Sequence, residues 1–206
     1  MRKSNYEHTK EMMQRKFLLY DQQRITDKFG LKSDEDFLYL RFVGRDYRIG
    51  RRNGKVEWTE DAFQNTTEAG YNEAMSIYDL LCDSRAGCHL SGKYVRVNNL
   101  RGTVYSSGLG DDSTREMAQY FDGKTDRLAA ACRQLGGIEE EGGDVAFCIW
   151  VFEYLPVILR FWESDDEFDA SLQLLWDENT MDYIRYETTY YVAAHLLSRL
   201  KELMER

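Results

Sequence analysis

The hydrophobic pattern divides the chain into helical stretches towards both ends and strand-like stretches between them. Apolar residues recur at helical spacing in residues 4–29, 71–84 and 180–205. A further helix is expected to start near Thr114, to be interrupted at Gly123 and to be followed by a segment that Thr125 caps and that runs to Leu135. Ser4 or Asn5 is suited to cap the first helix, and Gly30 is suited to end it. We therefore expect one continuous amphipathic helix at the start of the chain.

Short runs rich in β-branched and aromatic residues predict the strands. Residues 37–58 form a predicted β-meander with turns at Gly44 and Asn53-Gly54, because these residues tolerate positive φ. Further strands are expected at 93–97, 144–153, 157–162 and 171–176, and a glycine- and serine-rich loop at about 101–112. The 144–153 run is apolar on both faces, which is typical of a central strand. Pro156 lacks an N–H donor and is expected at a turn or strand start.

The order of these elements predicts the fold class. Strands that follow one another in runs, with helices between the runs, indicate an α+β fold with an antiparallel sheet rather than a doubly wound parallel fold. We expect one domain over residues 1–206, with the N-terminal helix of residues 1–30 as its most peripheral part.

Composition narrows the class of protein. The chain has 206 residues, of which 43% are hydrophobic and 14% aromatic, as expected for a folded domain with a sizeable core. It has no run of 18 apolar residues and no apolar signal segment near Met1, so neither a membrane span nor secretion is predicted. Its four cysteines form no C-x-x-C pair, which favours a reduced, cytoplasmic protein.

Charge is unevenly distributed along the chain. The net charge is -9, but residues 1–58 hold 14 basic and 9 acidic side chains, whereas residues 59–206 hold 13 and 27. The overall acidity argues against nucleic acid as a partner. The acidic part is suited to steer a cationic partner or a metal ion, although acidic solvated faces explain the same numbers.

The densest acidic stretch is the first candidate site. It joins a predicted strand-to-strand turn to the strand end at Asp177, and its members are Glu163, Asp165, Asp166, Glu167, Asp169 and Asp177. Carboxylates grouped in this way can hold a divalent cation, or one of a crowded pair can serve as an acid or base. The alternative is a solvated turn in which Asp177 caps the following helix.

The meander carries the second candidate site. Five arginines occur between residues 41 and 52, accompanied by two tyrosines: Arg41, Arg45, Arg48, Arg51, Arg52, Tyr39 and Tyr47. Arginine next to aromatic rings can bind an anionic ligand or a partner. Within this set we single out Arg45, Tyr47, Arg48 and Arg51. A charged, exposed sheet face is the alternative interpretation.

The remaining chemistry-bearing residues give weaker signals. Cys82, Cys88 and His89 lack zinc-finger spacing, and His195 is expected to be a packed or surface histidine. The chain contains neither a G-x-S-x-G nucleophile motif nor a phosphate-binding glycine loop. No cofactor is predicted, apart from the divalent cation that the acidic stretch allows.

Several short pieces of sequence, in order, resemble a bacterial and archaeal family known as domain of unknown function 3786. They are Val43-Gly44-Arg45-Asp46-Tyr47-Arg48, Leu135-Gly136-Gly137, Gly143-Asp144-Val145-Ala146-Phe147, Leu155-Pro156-Val157, Phe161-Trp162-Glu163, Asp166-Glu167-Phe168 and Leu174-Leu175-Trp176-Asp177. The resemblance covers most of the chain and is weakest in the first thirty residues. It implies no catalytic residue, because the family has no established activity. Some relatives carry an iron–sulfur segment, whose closely spaced cysteines this chain lacks.

Three functions remain open from the sequence. The first is an accessory, non-catalytic domain that binds a small molecule or a protein partner, which the aromatic content and the lack of a catalytic motif favour. The second is a metal-assisted enzyme that uses the acidic stretch of residues 163–177. The third is an interaction protein that docks through the arginine-rich meander of residues 41–52.

Overall fold

The computed structural model describes residues 4–103 and 111–206, so most of the expected 101–112 loop lies outside the described residues. The described strands form one antiparallel sheet in the order β5-β4-β3-β2-β8-β9-β10-β6, with β1 beside β2 and β7 beside β8. The strands are β1 (Lys32–Ser33), β2 (Phe37–Phe42), β3 (Arg45–Gly50), β4 (Val56–Thr59), β5 (Thr67–Glu68), β6 (Tyr94–Arg96), β7 (Ile138–Glu139), β8 (Val145–Phe152), β9 (Leu155–Trp162) and β10 (Ser171–Asp177). The predicted α+β class with an antiparallel sheet is confirmed.

Seven α-helices accompany this sheet in the described part of the chain. They are α1 (Asn5–Phe17), α2 (Gln22–Phe29), α3 (Tyr71–Tyr78), α4 (Asp111–Phe121), α5 (Thr125–Gln134), α6 (Thr180–Tyr183) and α7 (Tyr186–Glu205). A π-helical turn over Asp79–Asp83 extends α3, and a 3-10 turn follows β6. Within the described ranges, none of the helices has the length and apolar character that a membrane crossing requires.

The prediction of a single N-terminal helix over residues 4–29 is wrong, because the structure has two helices there, α1 and α2. Ser4 caps α1 through a capping box with Glu7, as the sequence indicated. Asp21 then accepts a hydrogen bond from the backbone N–H of Arg24 at 3.0 Å and caps α2. An aspartate that bonds to nearby backbone competes with a continuous helix, so the chain turns between Phe17 and Gln22.

The continuous helix expected over residues 180–205 is also interrupted. Ile184 adopts an extended conformation between α6 and α7. The next amide, of Arg185, donates to the carboxylate of Asp79 at 2.7 Å. Asp79 is 4% exposed and lies more than 100 residues away in sequence. The helix therefore breaks because a distant buried carboxylate binds the N–H that would otherwise have stayed in the helix.

The turn predicted at Gly44 is confirmed, whereas the two-residue hairpin predicted at Asn53-Gly54 is a longer connection between Gly50 and Val56, in which Gly54 and not Asn53 has positive φ. Val43 and Gly44 connect β2 to β3 with φ of 44° and 72°, the positive values that two-residue hairpin loops require. Gly54 lies before β4 with φ of 68°. A side chain cannot be added at Gly54 without displacement, because a Cβ there would lie 2.4 Å from the backbone oxygen of Gln14 in α1. The turn thus also sets how closely α1 approaches the sheet.

We expect Gly54→Ala to lower the free energy of unfolding clearly more than Gly30→Ala. Both glycines have positive φ, which costs alanine about 1 kcal/mol or more, but a Cβ at Gly30 would meet no atom within 4 Å. The Gly54 variant adds the clash with the Gln14 carbonyl. Urea unfolding of both variants measures the difference; equal losses would show that α1 does not pack tightly on this turn.

The core lies on the sheet face that the helices cover. β8 and β9 form its centre, as the apolar run predicted, and the ring of Phe42 on β2 stacks on that of Phe152 at 4.2 Å. Phe121 of α4 contacts Phe161 of β9 edge to face at 6.1 Å. Pro156 is the second residue of β9, near the expected strand start, and it pairs with Trp150 where the β8–β9 register shifts. The irregular register tolerates a residue without an N–H.

Candidate functional site

The acidic turn between β9 and β10 is exposed throughout residues 162–169. The Asp165 carboxylate accepts the backbone N–H groups of Glu167 and Phe168 at 2.8 and 2.7 Å. The backbone N–H of Glu163 donates to Asp144. These bonds are typical of a turn that an aspartate organises locally. Asp166 is part of the same solvent-exposed loop.

The structure does not bring Asp177 to this turn. β10 starts after the turn and ends at Asp177, so the two lie at opposite ends of a strand about 20 Å long. Asp177 is fully buried and accepts hydrogen bonds from the backbone N–H groups of Ser91, Gly92 and Asn179. Among the described residues, no three or more histidine, cysteine or carboxylate side chains are grouped to hold a metal ion.

Strand alternation separates the arginines of the meander. Arg45 and Tyr47 on β3 face the core side and are 9% and 0% exposed. Arg48 faces the other side, where its guanidinium lies 4.1 Å from the ring centre of Phe37. The exposed charged face that the sequence suggested is therefore wrong for Arg45, because period-two alternation turns it inwards.

Arg48 and Arg51, the other two arginines of the candidate site, bind neighbouring protein groups. Arg48 donates from two nitrogens to one carboxylate oxygen of Glu57, at 3.0 and 2.9 Å. Arg51 donates to the side-chain oxygen of Gln22 and to the backbone oxygen of Asp34. Both guanidiniums thus stabilise the edge of the meander. Arg45, Arg48 and Arg51 do not converge on one surface.

Arg45 belongs instead to a group of charged side chains between the meander and α7. We call this group the ionic cluster; its members are Arg45, Glu60, Glu73, Arg199, Glu202 and Arg206. Its centre is Glu202, which accepts from Arg45 at 2.9 and 3.0 Å, from Arg199 at 2.6 Å and from Arg206 at 2.5 Å. Glu60 pairs with Arg206 at 2.8 Å. Three guanidiniums are therefore balanced by three carboxylates.

The ionic cluster perturbs the titration of its own members. Hydrogen bonds from Arg206 are the main effect that lowers the pKa of Glu60. For Glu202, burial opposes ionisation, but the hydrogen bond and charge of Arg199 outweigh it and lower the pKa. Both carboxylates are thus held in their charged form. Arg45 also stacks on the ring of Trp58, with its guanidinium carbon 3.7 Å from the ring centre.

Tyr47 and His195 lie beneath the ionic cluster. The Tyr47 hydroxyl donates to Glu73 at 2.5 Å and lies 3.1 Å from Nε2 of His195. Because the Tyr47 hydroxyl donates its hydrogen bond to Glu73, it can only accept from His195, and we therefore assign a proton to Nε2 of the histidine. Burial, reinforced by Arg45 and Arg199, lowers the pKa of His195 to about 3. Burial likewise raises the pKa of Tyr47. At neutral pH His195 therefore carries no charge, and Tyr47 keeps its proton.

The sequence indicated only part of this arrangement. The sequence pattern singles out Arg45 and Tyr47, and it predicts a packed or surface position for His195, which is 7% exposed. The other members were missed, because they are spread over a loop, α3 and α7. A usable signal was present on α7, where His195, Arg199, Glu202 and Arg206 follow each other at spacings of four, three and four residues.

The cysteines and His89 show no metal-binding geometry. Burial raises the pKa of Cys82 to about 12, so its thiol stays protonated, and it lies in the π-helical turn. Burial also raises the pKa of Cys88, and the neighbouring Lys28 opposes that rise. His89 instead contacts the side-chain amide of Asn179 at 3.4 Å.

A cavity of about 410 Å³ lies where the segment after the π-helical turn meets the start of α6. We call it the arginine cavity; its lining residues are Arg85, Arg101, Gly102, Asn179, Met181 and Asp182. Its volume falls within the range of small-molecule sites, about 300–1,000 Å³. A Cβ at Gly102 would meet no atom within 4 Å, so the backbone is open on this side.

The two arginines of the cavity differ in their partners. Arg85 binds the Asp182 carboxylate at 2.7 Å, and the Arg85 amide donates to the Asp182 backbone oxygen. The backbone N–H of Arg101 donates a hydrogen bond to the backbone carbonyl of Glu178. Among the described residues, no carboxylate oxygen lies within 4 Å of the Arg101 guanidinium. Thr180, between two lining residues, is fully buried, and its hydroxyl has no hydrogen-bond partner in the described structure. Among the described lining residues, two arginines therefore face one aspartate.

Comparison with known proteins places the chain in a family. The family described as "Domain of unknown function (DUF3786)" matches residues 21–199. No curated protein and no solved structure is significantly similar to the chain. The match includes the meander, the β8–β9 pair and most of α7, and it omits α1. The chain therefore belongs to the DUF3786 family.

Proposed function

We propose that this protein is an accessory domain that binds a small anionic molecule in the arginine cavity. The observation that carries the proposal is Arg101, whose guanidinium lines the cavity without a carboxylate partner among the described residues. A guanidinium presents a fork of N–H donors that matches a carboxylate or a phosphate. The ligand class is thus a small molecule with such a group.

Charge supports this ligand class. Arg85 and Arg101 face one carboxylate, that of Asp182, and Arg85 already neutralises it. This cationic excess occurs in the part of the chain where acids outnumber bases by 27 to 13. An anion that enters the cavity therefore meets a local attraction within a part of the chain that is acidic overall. Arg85 and Arg101 bind it, and the open backbone at Gly102 leaves room for it.

Binding without catalysis is the function that the buried groups favour. General acid–base catalysis is most effective with a group whose pKa lies near the working pH. The pKa of His195 is lowered to about 3 and that of Tyr47 is raised, so neither exchanges protons readily at neutral pH. The metal-assisted alternative gains no support from the described acidic residues, and the proposed site involves no cofactor.

We place this function in the reducing cytoplasm of a bacterial or archaeal cell, the source of the family that the sequence resembles. The four cysteines are free thiols. Burial raises the pKa of Cys132 to about 12, so that side chain acts as a small apolar core residue. A protein with this cysteine pattern needs no oxidising compartment to fold.

We expect small anions to raise the melting temperature of the protein, and Arg101→Gln to remove the effect. The probes are inorganic phosphate, pyrophosphate, malonate and citrate, each against sodium chloride of equal ionic strength. At a hundred times its Kd a ligand stabilises by about 2.7 kcal/mol, which corresponds to roughly 5–10 °C for a domain of this size.

The matched control is Arg52→Gln, which removes an exposed arginine far from the cavity in sequence. It should leave the shift unchanged. If none of the four anions shifts the melting temperature, or if the shift is the same in Arg101→Gln, the cavity does not bind anions and the proposal fails.

A further inference from the structure

The sheet has a second face, opposite the helices, which carries its own apolar and cationic groups. We call it the outer sheet face and define it by Arg96, Cys148, Trp150, Ile158, Arg160 and Trp162. The strand register places these residues on one side of the sheet. Cys148 on β8 lies opposite Ile158 on β9, and Arg160 on β9 lies opposite Gln173 on β10. Arg96 on β6 lies opposite Leu175, two residues further along β10. The residues between them, such as Phe147 and Leu159, belong to the main core.

The apolar part of the outer sheet face is partly buried and partly open. Cys148 and Ile158 are 7% and 5% exposed, yet neither belongs to the main core cluster. Trp150 and Trp162 flank them and remain 41% and 36% exposed. Tryptophan is enriched at the centres of protein interfaces, because its ring supplies a large contact area. The face therefore offers two aromatic contact points on a rigid sheet.

The cationic part of the outer sheet face lacks carboxylate partners. Arg160 has a buried Nε without a hydrogen-bond partner, and the described residues place no carboxylate oxygen within 4 Å of its guanidinium. Arg96 is exposed and has no described carboxylate within 4 Å; with the Gln173 amide assigned so that its oxygen faces Arg96, the guanidinium donates to that oxygen at 2.9 and 2.6 Å.

The surroundings of this face are acidic. Glu139–Glu141 lie in the exposed segment beside β8, and the exposed acidic turn of residues 163–169 directly follows Trp162. A nucleic-acid strand carries a charge at every phosphate and would be repelled by this rim. A peptide can place its carboxylates opposite the two arginines and basic side chains opposite the acidic segments, which complements the observed charges.

We propose that the outer sheet face docks an extended peptide segment of a partner protein. The segment has two carboxylates for Arg96 and Arg160, an apolar side chain for Trp162, and basic residues towards its ends. Arg160 and Arg96 lie two strands apart and two residues out of register, which places their Cα atoms about 12 Å apart. Carboxylates three or four residues apart in an extended peptide span this distance.

The test is a selection of random 12-residue peptides on the folded protein, followed by fluorescence anisotropy of the enriched sequences. We expect enriched peptides with two acidic residues three or four positions apart and with aromatic or aliphatic neighbours. Arg160→Gln, Arg96→Gln and Trp162→Ala should each weaken binding about tenfold, as loss of a charge-assisted bond or an aromatic anchor does. Arg52→Gln, an exposed arginine of the meander, should change it less than twofold.

Changes in the peptide keep the test decisive if a protein variant folds poorly. Replacing both peptide carboxylates by amides should weaken binding to the unchanged protein at least tenfold. The proposal is overturned if no peptide is enriched, or if enriched peptides bind Arg160→Gln and the wild type equally. It is also overturned if a 12-residue polyuridine competes at this face more tightly than the peptides do.

Discussion

We expect Arg45→Met to lower the free energy of unfolding by about 3–5 kcal/mol. Arg45 is 9% exposed, and its guanidinium is the partner of Glu202 at 2.9 Å and neighbours Glu60 and Glu73. Methionine fills a similar volume but leaves three carboxylates facing two guanidiniums, and among the described residues Glu73 loses the one guanidinium within 4 Å, which is the costly way to break a buried ion pair.

A double-mutant cycle separates the charge effect from lost packing. Arg45→Met, Glu202→Gln and the double variant should give a coupling energy of about 1–3 kcal/mol in guanidinium unfolding. The matched control is the ion pair of Arg52 with Asp36, in which a guanidinium nitrogen lies 3.4 Å from a carboxylate oxygen and the side chains are 82% and 60% exposed. The coupling energy of this exposed pair should stay below about 1 kcal/mol. Equal coupling in the two pairs would show that the ionic cluster does not hold α7 to the meander.

The second large effect is a dependence of stability on pH that His195 causes. In the unfolded chain its pKa is about 6.5, but burial lowers it to about 3 in the folded protein. As the pH falls below about 6.5, the unfolded chain therefore binds a proton that the folded protein does not bind. Stability is full above this pH and is lost progressively towards pH 3, by about 3 kcal/mol between pH 7 and pH 4.

His195→Gln should remove this slope, because the glutamine amide can still donate to the Tyr47 hydroxyl but does not titrate. Urea unfolding at pH 7, 6, 5 and 4 measures it in both proteins. Glu60 and Glu202, whose pKa values are lowered, add acid sensitivity below about pH 4.5 in both, so the difference between the two curves isolates the histidine. Parallel curves would mean that His195 becomes protonated in the folded state.

The strand framework was predictable because its signals are local. Gly44 and Gly54 mark turns in which a glycine takes positive φ, and the apolar run of β8 needs no distant partner to be recognised. The same holds for the capping box at Ser4. Periodicity and turn chemistry therefore sufficed for the α+β class and for most strand bounds.

The helix breaks and the ionic cluster depend on distant contacts. The break before α7 depends on Asp79, and the burial of Arg45 depends on Glu202, 157 residues away in sequence. Alternation places one set of meander residues on each face, but it does not say which face α7 covers. Arg45 and Arg48 therefore looked equivalent in the sequence, although one is buried in the cluster and the other lies on the opposite face.

The arginine cavity is even harder to predict from the sequence than the ionic cluster. Arg85, Arg101 and Asp182 come from three segments that share no motif, and only the fold brings them to one surface. The acidic turn shows the reverse case, since its residues are adjacent in sequence while the structure keeps them apart from Asp177. The density of charged residues along the sequence is thus a poorer indicator of a binding site than the ion pairs that each charged side chain forms in the structure.

Nuclear magnetic resonance of the arginine Nε–Hε groups during a phosphate titration tests anion binding in the arginine cavity most directly. The Arg101 signal, assigned by its loss in Arg101→Lys, reports on the one lining guanidinium that has no described carboxylate partner. We predict a saturable shift of the Arg101 signal, with a smaller shift at Arg85 and none at Arg52. Small shifts that grow linearly and equally at all three arginines would contradict a specific site.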